Sequence, residues 1–278
     1  GNCLCLENDY VNKIKHSTLR VSKKFTKVIA IPTTAGSGAE VTSNAVLYID
    51  KIKYSIEGKS IIPDYAFIDP ELVLSLSKSL SASSGFDAMS QAIESLFSKK
   101  SNDESVKYAL KSLEYSYKNI ENHINKKTFL TAYNMCNASF FSGKAINISK
   151  TTAPHAVSYP FTAYFGIKHG HAVSLTLTDF IEYNFLKKNF SDASFDLNNR
   201  YKLIFDIFKV SNFKGLVLKI NKILHNINLE TDFEKLNITG SNNIEKVVSN
   251  INAQRLNNNP VPLSVNSVKE ILLKKIKT

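Results

Sequence analysis

The spacing of hydrophobic positions along the chain changes near residue 80. Before that point, apolar residues form short β-branched runs bounded by Pro, Gly or Asp, a pattern typical of buried strands in an α/β sheet. Such runs occupy residues 28–31, 45–49 and 65–68. A short helix is expected just after Asp69, over residues 70–76. The first part of the chain is therefore predicted to be an α/β unit.

Beyond residue 80 the apolar positions recur with the period of an α-helix, as Val106, Leu110, Leu113 and Tyr117 illustrate. The pattern predicts long helices over residues 83–99, 103–122, 128–146 and 169–183, followed by four or five weaker ones up to residue 276. We therefore predict two domains, an α/β domain over residues 1–80 and an all-helical domain over residues 81–278.

The α/β unit contains no G-x-G-x-x-G or Walker-type glycine loop, and it has few strands for a nucleotide-binding domain. Two interpretations stay open. The unit is either a small fold that binds no nucleotide, or the later part of a larger nucleotide-binding domain.

Composition narrows the class of protein. The 278 residues are 43% hydrophobic, enough for a sizeable core, and no run approaches the ~20 apolar residues of a membrane span. Three cysteines form neither a disulfide framework nor a zinc pattern, so a reducing, cytoplasmic setting is expected. The net charge of +11 raises nucleic acid as a partner, but the lysines are scattered along the chain. We expect the charge to attract a small anionic substrate instead.

Three segments contain candidate chemistry. Residues 32–42 (PTTAGSGAEVT) supply small and hydroxyl residues directly after a strand, where backbone can approach phosphate or ribose, although an ordinary turn has the same composition. Asp87 and Gln91 are four residues apart on one face of a predicted helix, where they could face one ion or merely solvent. Three of the six histidines, His155, His169 and His171, lie within residues 151–171, and converging imidazoles with an aspartate can bind a divalent metal.

The order of these segments resembles the iron-dependent alcohol dehydrogenases. The resemblance extends from about residue 28 to the closing segment around Asn259-Pro260. It implies a dehydroquinate synthase-like fold, in which a partial Rossmann-like cofactor-binding domain precedes a helical catalytic domain. Family members are generally longer at the N-terminus, where a glycine-rich turn holds the cofactor diphosphate. The chain is similar to a member without that segment.

The resemblance also implies cofactors and site residues. It predicts NAD(P)H and a divalent metal, Fe²⁺ with Zn²⁺ as the alternative. Metal ligands would be Asp87, His155, His169 and, at the fourth position, Gln91, where the family normally has histidine. A glutamine oxygen is a weaker ligand than imidazole, so a weakly held metal, a different metal and no metal all stay open. The expected cofactor contacts are Thr33, Thr34, Gly36, Ser37, Lys53 and Lys59.

Within the family, the segments around Asp87, His155 and His169 are similar to the hydroxyethylphosphonate dehydrogenases, also called phosphonoacetaldehyde reductases. This similarity implies reduction of phosphonoacetaldehyde to 2-hydroxyethylphosphonate. Lys150, Thr151 and Thr152 would bind the phosphonate, and His171 or Tyr159 would relay a proton. The family also suggests a homodimer.

Three alternatives to this function remain at the level of sequence. The first is an alcohol dehydrogenase for short uncharged aldehydes, which keeps the fold and changes the substrate. The second is an inactive remnant unable to hold the cofactor. The third is a nucleic-acid-binding protein driven by the positive charge, which would bind in a strongly salt-dependent manner.

Overall fold

The computed structural model of the chain describes residues 9–16, 19, 26–49, 52–251 and 253–276, apart from the side chains of residues 48, 52, 53 and 254. Its α/β part contains the short helix α1 (Tyr10–Lys15) and four strands in two separate pairs. Strand β1 (Ile29–Ala30) pairs in parallel with β4 (Tyr65–Ala66), and β2 (Asn44–Ile49) forms an antiparallel hairpin with β3 (Ile52–Glu57).

The three predicted strands are present, but the expectation that they are buried was wrong. Ile29 is 62% exposed and Phe67 is 62% exposed. Both sheets have only two strands among the described residues, so no neighbouring strand or helix layer covers these side chains. Strand β3 was missed, although its sequence IKYSIE alternates between apolar and polar residues as a half-buried strand does. The segment expected as a helix over residues 70–76 is a 3₁₀ helix, Pro70–Val73, capped by Asp69.

The rest of the chain is helical, which confirms the predicted fold class, an α/β unit followed by helices. The division at residues 80 and 81 stays a prediction. The helices are α2 (Lys78–Phe97), α3 (Asp103–Asn125), α4 (Phe129–Ser149), α5 (Ala153–Phe165), α6 (His169–Ser174), α7 (Leu177–Leu186), α8 (Leu197–Phe208), α9 (Phe213–Asn226), α10 (Gly240–Val248), α11 (Ala253–Leu256) and α12 (Val265–Leu273).

Side-chain caps fix where the long helices begin. Ser77, Asn102 and Thr128 precede α2, α3 and α4, and each accepts a hydrogen bond from a backbone N–H of the first turn. The single helix expected over residues 169–183 was wrong, because the chain forms α6 and α7 instead. The backbone of Thr176 leaves the helical region (φ −130°, ψ −3°), an interruption too short to disturb the hydrophobic period.

Helix α2 lies at the centre of the helical part and is buried along nearly its whole length. Small residues allow neighbours to approach it closely. A side chain at Gly170 of α6 would place its Cβ 2.0 Å from the Ser83 carbonyl oxygen and 2.8 Å from the Asp87 Cβ. The glycine between His169 and His171 therefore brings the start of α6 directly against the turn of α2 that contains Asp87.

The buried hydrophobic side chains form two clusters. One is formed mainly by α2, α3, α4, α8 and α9, and the other by α5, α6, α10 and α12. The first turn of α5 faces α2, because the backbone N–H groups of Thr152 and His155 donate to Glu94. No helix among the described residues has the length and apolar character needed to cross a bilayer.

Candidate functional site

A cavity of about 980 Å³ lies between the β2–β3 hairpin and the helices. Its wall includes side chains from the loop after β1, from α2, α5 and α6, and from the C-terminal region. Of the residues that the sequence analysis singled out, Ser37, Asp87, Gln91, Lys150, Thr151, His155, Tyr159 and His169 line it. Residues from both predicted domains therefore meet in one place.

Asp87, His155 and His169 converge at the wall of this cavity. The Nε2 atom of His155 is 3.2 Å from the Asp87 Oδ1 atom, and the Nε2 atom of His169 is 3.9 Å from the same oxygen. The side chains of Asp87 and His155 are 6% and 4% exposed, whereas that of His169 is 38% exposed. One side of the cluster therefore faces the cavity.

This geometry fits a divalent metal. One ligand atom from each residue lies within 4.8 Å of the other two. Two ligands, each about 2.1 Å from one ion, are at most about 4.2 Å apart, and the two distances to Asp87 fall within that limit. Three protein ligands with an open side are the arrangement of catalytic rather than structural metal sites.

Glu94 orients His155 and was not proposed from the sequence. Its Oε2 atom accepts a short hydrogen bond from His155 Nδ1, and its Oε1 atom accepts from the Thr152 backbone N–H (2.9 Å), the Thr152 hydroxyl (3.0 Å) and the His155 backbone N–H (3.3 Å). The buried carboxylate thus binds the N-terminus of α5 and fixes the imidazole with Nε2 towards Asp87. Glu94 follows Asp87 by two helical turns, so its position on the same face of α2 was available as a signal.

The charges around His155 set its protonation. Burial alone would lower the pKa of this imidazole, but the adjacent carboxylates of Glu94 and Asp87 and their hydrogen bonds raise the pKa to about 9. A metal ligand must be a neutral imidazole, so binding of an ion would release this proton.

Gln91 contacts the cluster through its amide nitrogen. Its Nε2 atom donates to Asp87 Oδ2 (3.1 Å), and its Oε1 atom accepts from the Ser142 hydroxyl (3.0 Å). The Ser142 hydroxyl also lies 2.9 Å from the Ser139 carbonyl oxygen. A 180° rotation of the amide would turn its oxygen towards Asp87 Oδ2, where two acceptors would face each other without a proton, so that orientation requires a cation between them. Gln91 as a metal ligand stays a prediction, and it requires this rotated orientation.

Most of the candidate cofactor contacts lie outside the cavity lining. The loop of residues 32–42 packs closely on the helices, because Gly36 and Gly38 have no side chain. Gly36 contacts Ser84, and a Cβ at Gly38 would lie 2.5 Å from the Gly143 Cα. Of this loop's candidates only Ser37 lines the cavity, whereas Thr33, Thr34 and Gly36 do not. Lys59 is exposed outside the lining, and the side chain of Lys53 lies outside the described residues.

Likewise, only some of the candidates for substrate binding and proton relay line the cavity. Lys150 lines the cavity, and its Nζ atom is 3.5 Å from Glu57 Oε2. Thr151 lines it too, whereas Thr152 is buried against Glu94. The structure does not bring His171 to the cavity, because its Nε2 atom donates to the Glu230 carbonyl oxygen at 2.6 Å. Tyr159 lines the cavity, and its ring stacks on that of His169, with centroids 5.4 Å apart and planes at 3°.

Arg255 is a second residue that the sequence did not suggest. It comes from α11, lines the cavity, and donates from Nη1 to the Tyr159 hydroxyl at 2.9 Å and from Nη2 to the Ser55 hydroxyl. No motif surrounds it in the sequence, and its position results from tertiary packing alone.

Comparisons with known proteins agree with this arrangement. Residues 3–70 match the family described as iron-containing alcohol dehydrogenase, and residues 81–276 match the Fe-containing alcohol dehydrogenase family, C-terminal. The chain is 34% identical over 161 residues to a phosphonoacetaldehyde reductase of Streptomyces viridochromogenes, covering 57% of the chain and 41% of the relative. It is 35% identical over 159 residues to the 1-propanol dehydrogenase PduQ of Citrobacter freundii, covering 56% and 43%.

Among solved structures, the chain is similar to sulfoacetaldehyde reductase from Bifidobacterium kashiwanohense in complex with NAD⁺. The TM-score is 0.88 at 29% identity, covering 100% of this chain and 72% of that one. The chain spans less than half the length of the curated relatives named above.

Proposed function

The chain belongs to the iron-containing alcohol dehydrogenase family, and on that premise we propose that it reduces a short aldehyde bearing a terminal oxyanion, with NAD(P)H as reductant. The specific substrate proposed is phosphonoacetaldehyde, and the product is 2-hydroxyethylphosphonate. The observation that carries this proposal is the cavity itself, which is lined both by three side chains able to hold a metal ion and by the cations Lys150 and Arg255.

Two relatives support the anionic class of substrate. The names of the Streptomyces and Bifidobacterium enzymes specify phosphonoacetaldehyde and sulfoacetaldehyde, two-carbon aldehydes that each end in a tetrahedral oxyanion. The 1-propanol dehydrogenase is slightly more similar by identity, at 35% against 34% and 29%. That match keeps an alcohol dehydrogenase for uncharged short substrates as the second candidate.

Different residues of the chain would hold the metal, orient one of its ligands and deliver the proton. Asp87, His155 and His169 would hold the metal, Fe²⁺ or Zn²⁺, with Glu94 holding His155 in place. A divalent ion in this position acts as a Lewis acid that polarises the aldehyde oxygen. Tyr159 is the candidate retained for proton delivery, because it lines the cavity, whereas His171 is bonded to Glu230.

The cofactor would lie along the loop of residues 32–42, where Ser37 and Thr42 line the cavity. When bound there, NAD(P)H would supply hydride for the reduction. The Ser37 hydroxyl is suited to hydrogen bonds with ribose or phosphate oxygens, whereas the Thr42 hydroxyl donates to the Ala39 carbonyl oxygen (3.3 Å) and could only accept from a ribose hydroxyl. We further propose, as the family resemblance suggests, a homodimer in the cytoplasm. Light scattering on the purified protein would show twice the chain's mass.

The experiment that tests the function follows the loss of nicotinamide absorbance with metal-loaded protein. Phosphonoacetaldehyde, sulfoacetaldehyde and uncharged propanal are compared at matched concentrations, with NADH and NADPH in parallel. We expect kcat/KM to be highest for phosphonoacetaldehyde. Equal or greater efficiency with propanal would favour the second candidate, and no turnover with any aldehyde would favour an inactive remnant.

A further inference from the structure

Arg255 is held in the cavity by two hydroxyl groups from different parts of the fold. Its Nη1 atom donates to Tyr159 in α5, and its Nη2 atom donates to Ser55 in β3. The guanidinium carbon also lies 5.2 Å from the centroid of the Tyr159 ring. These contacts use two of the five guanidinium N–H donors and fix the plane of the group, so the remaining donors have a defined direction.

The charge of Arg255 is less compensated than that of its neighbour Lys150. Lys150 lies 3.5 Å from the Glu57 carboxylate. Among the residues that the structure describes, no carboxylate lies within ion-pairing distance of Arg255, and both of its hydrogen-bond partners are neutral hydroxyls. A half-buried guanidinium with neutral partners attracts an anionic ligand more strongly than a lysine already beside a carboxylate.

The distances suit a short bifunctional substrate. Tyr159 contacts both groups: the guanidinium is bonded to its hydroxyl with the guanidinium carbon 5.2 Å from the ring centroid, and the His169 ring stacks on it at 5.4 Å. A two-carbon aldehyde with a terminal phosphonate would span on the order of 10 Å between a metal at its carbonyl oxygen and a guanidinium at its anion. The guanidinium carbon and the His169 ring centroid are separated by no more than the sum of these two distances, so a molecule of this length can reach both groups.

We propose that Arg255 binds the terminal oxyanion of the aldehyde and selects charged over uncharged substrates, with Ser55 and Tyr159 positioning its guanidinium. This inference rests on the proposed function. Arg255 takes the place of Thr152, which is already bonded to Glu94, whereas Thr151 lines the same cavity and can add a hydroxyl contact. Lys150, which lies beside Glu57, then contributes a second, weaker positive charge to the same cavity.

Steady-state kinetics and direct binding test the inference together. In Arg255→Ala, we expect the KM for phosphonoacetaldehyde to rise about 10- to 100-fold, with the KM for propanal changed less than about twofold. Arg255→Lys keeps the charge without the planar fork and should give an intermediate rise. Ser55→Ala should raise the KM for the phosphonate by a few-fold only. Lys222→Ala removes an equal charge from an exposed position of α9 outside the cavity lining, and should change neither KM.

Calorimetric titration with 2-hydroxyethylphosphonate separates this inference from the proposed function. If the wild-type protein turns over no aldehyde, the proposed function fails, yet loss of phosphonate binding in Arg255→Ala would still support the anion site. Equal binding of 2-hydroxyethylphosphonate by wild type and Arg255→Ala would overturn the anion site at Arg255, as would an absence of binding to the wild type.

A rise in the KM for NAD(P)H with no change for the aldehyde would instead assign Arg255 to a cofactor phosphate. If Arg255→Ala does not fold, the KM values of Ser55→Ala and Arg255→Lys for phosphonoacetaldehyde test the anion site, because both variants keep a cation at position 255.

Discussion

At the scale of single residues, the metal cluster depends on a carboxylate outside the proposed ligand set. Glu94 accepts a hydrogen bond from His155 Nδ1 and three more from the start of α5. Outer carboxylates of this kind fix the tautomer and orientation of a metal-binding imidazole. The position of His155 therefore depends on a buried acid two turns along α2 from Asp87.

Glu94→Gln should weaken metal binding while leaving the three ligands in place. The amide keeps the shape of the side chain but offers only one acceptor oxygen, so either His155 or the N-terminus of α5 loses a partner. We expect the affinity for Co²⁺ or Zn²⁺ to fall about 10- to 100-fold, measured by Co²⁺ absorbance titration. Glu104→Gln, on the first turn of α3, is the control and should bind as the wild type does. Unchanged affinity in Glu94→Gln would remove Glu94 from the site.

The candidate site was accessible from sequence only in part. His155 and His169 were identified because histidines are few and gathered in one segment, and Asp87 because the order of the motifs resembled a known family. Neither Ser55 nor Arg255 could be found in this way, because their contact joins positions 200 residues apart and follows from the packing of a hairpin against α11. Lys53 and Lys59, chosen for their charge, remain predictions.

At the scale of elements, the packing of α6 on α2 sets the distance between His169 and Asp87. Gly170→Ala would place a methyl group 2.0 Å from the Ser83 carbonyl oxygen, so α6 would have to move. We expect a loss of about 1–3 kcal/mol in the free energy of unfolding, together with weaker metal binding. Gly166→Ala is the comparison, because that residue has a positive φ of 68° but nothing within 4 Å of an added Cβ. It should destabilise by about 1 kcal/mol and leave metal affinity unchanged. Equal metal affinities in both variants would contradict the link between the two helices.

Helix α3 ends in a buried histidine that should make stability depend on pH. Burial and the nearby Lys127 lower the pKa of His123 to about 4, from an ordinary value of 6.5. Between these values the unfolded chain binds a proton that the folded chain does not, so the contribution is fully present above pH 6.5 and is lost as pH falls towards 4. The loss amounts to at most about 3 kcal/mol.

Denaturant unfolding from pH 7 to 4 measures this contribution. His123→Leu removes the titrating group. The Nδ1 atom of His123 has no hydrogen-bond partner among the described residues, so the substitution leaves no such partner unpaired there. The variant should therefore show a shallower fall in stability than the wild type. His225→Gln, at an exposed position of α9, should keep the wild-type slope. Parallel curves for wild type and His123→Leu would show that His123 does not titrate in this range.

The elements themselves were largely predictable, since hydrophobic period and capping residues act locally. The helices over residues 103–122 and 128–146 were placed within a few residues of α3 and α4 for that reason. The break between α6 and α7 and the exposure of β1 and β4 were not predictable in this way. A single non-helical residue at Thr176 leaves the period intact, and apolar strand residues give no information on which neighbours cover them.

At the scale of the whole molecule, the net charge of +11 acts together with the cavity. Lys100, Lys150 and Arg255 all line it, so an anionic aldehyde should be attracted before it binds. We expect the KM for phosphonoacetaldehyde to rise several-fold between about 0.01 and 0.15 M ionic strength, because added salt screens this attraction. The KM for propanal should stay constant under the same conditions. A parallel rise for both aldehydes would indicate a general effect of salt on the protein.

The contact between Ser55 and Arg255 also has a consequence for the order in which the nascent chain completes its site. All three proposed metal ligands have been synthesised once His169 is added, and α2, α5 and α6 can pack together once synthesis has passed α6. The anion-binding end must wait until synthesis has passed α11, on the order of ten seconds later at ordinary rates of elongation. A ribosome-bound chain that ends between these points would contain the metal-binding residues but would lack the arginine that discriminates between aldehydes.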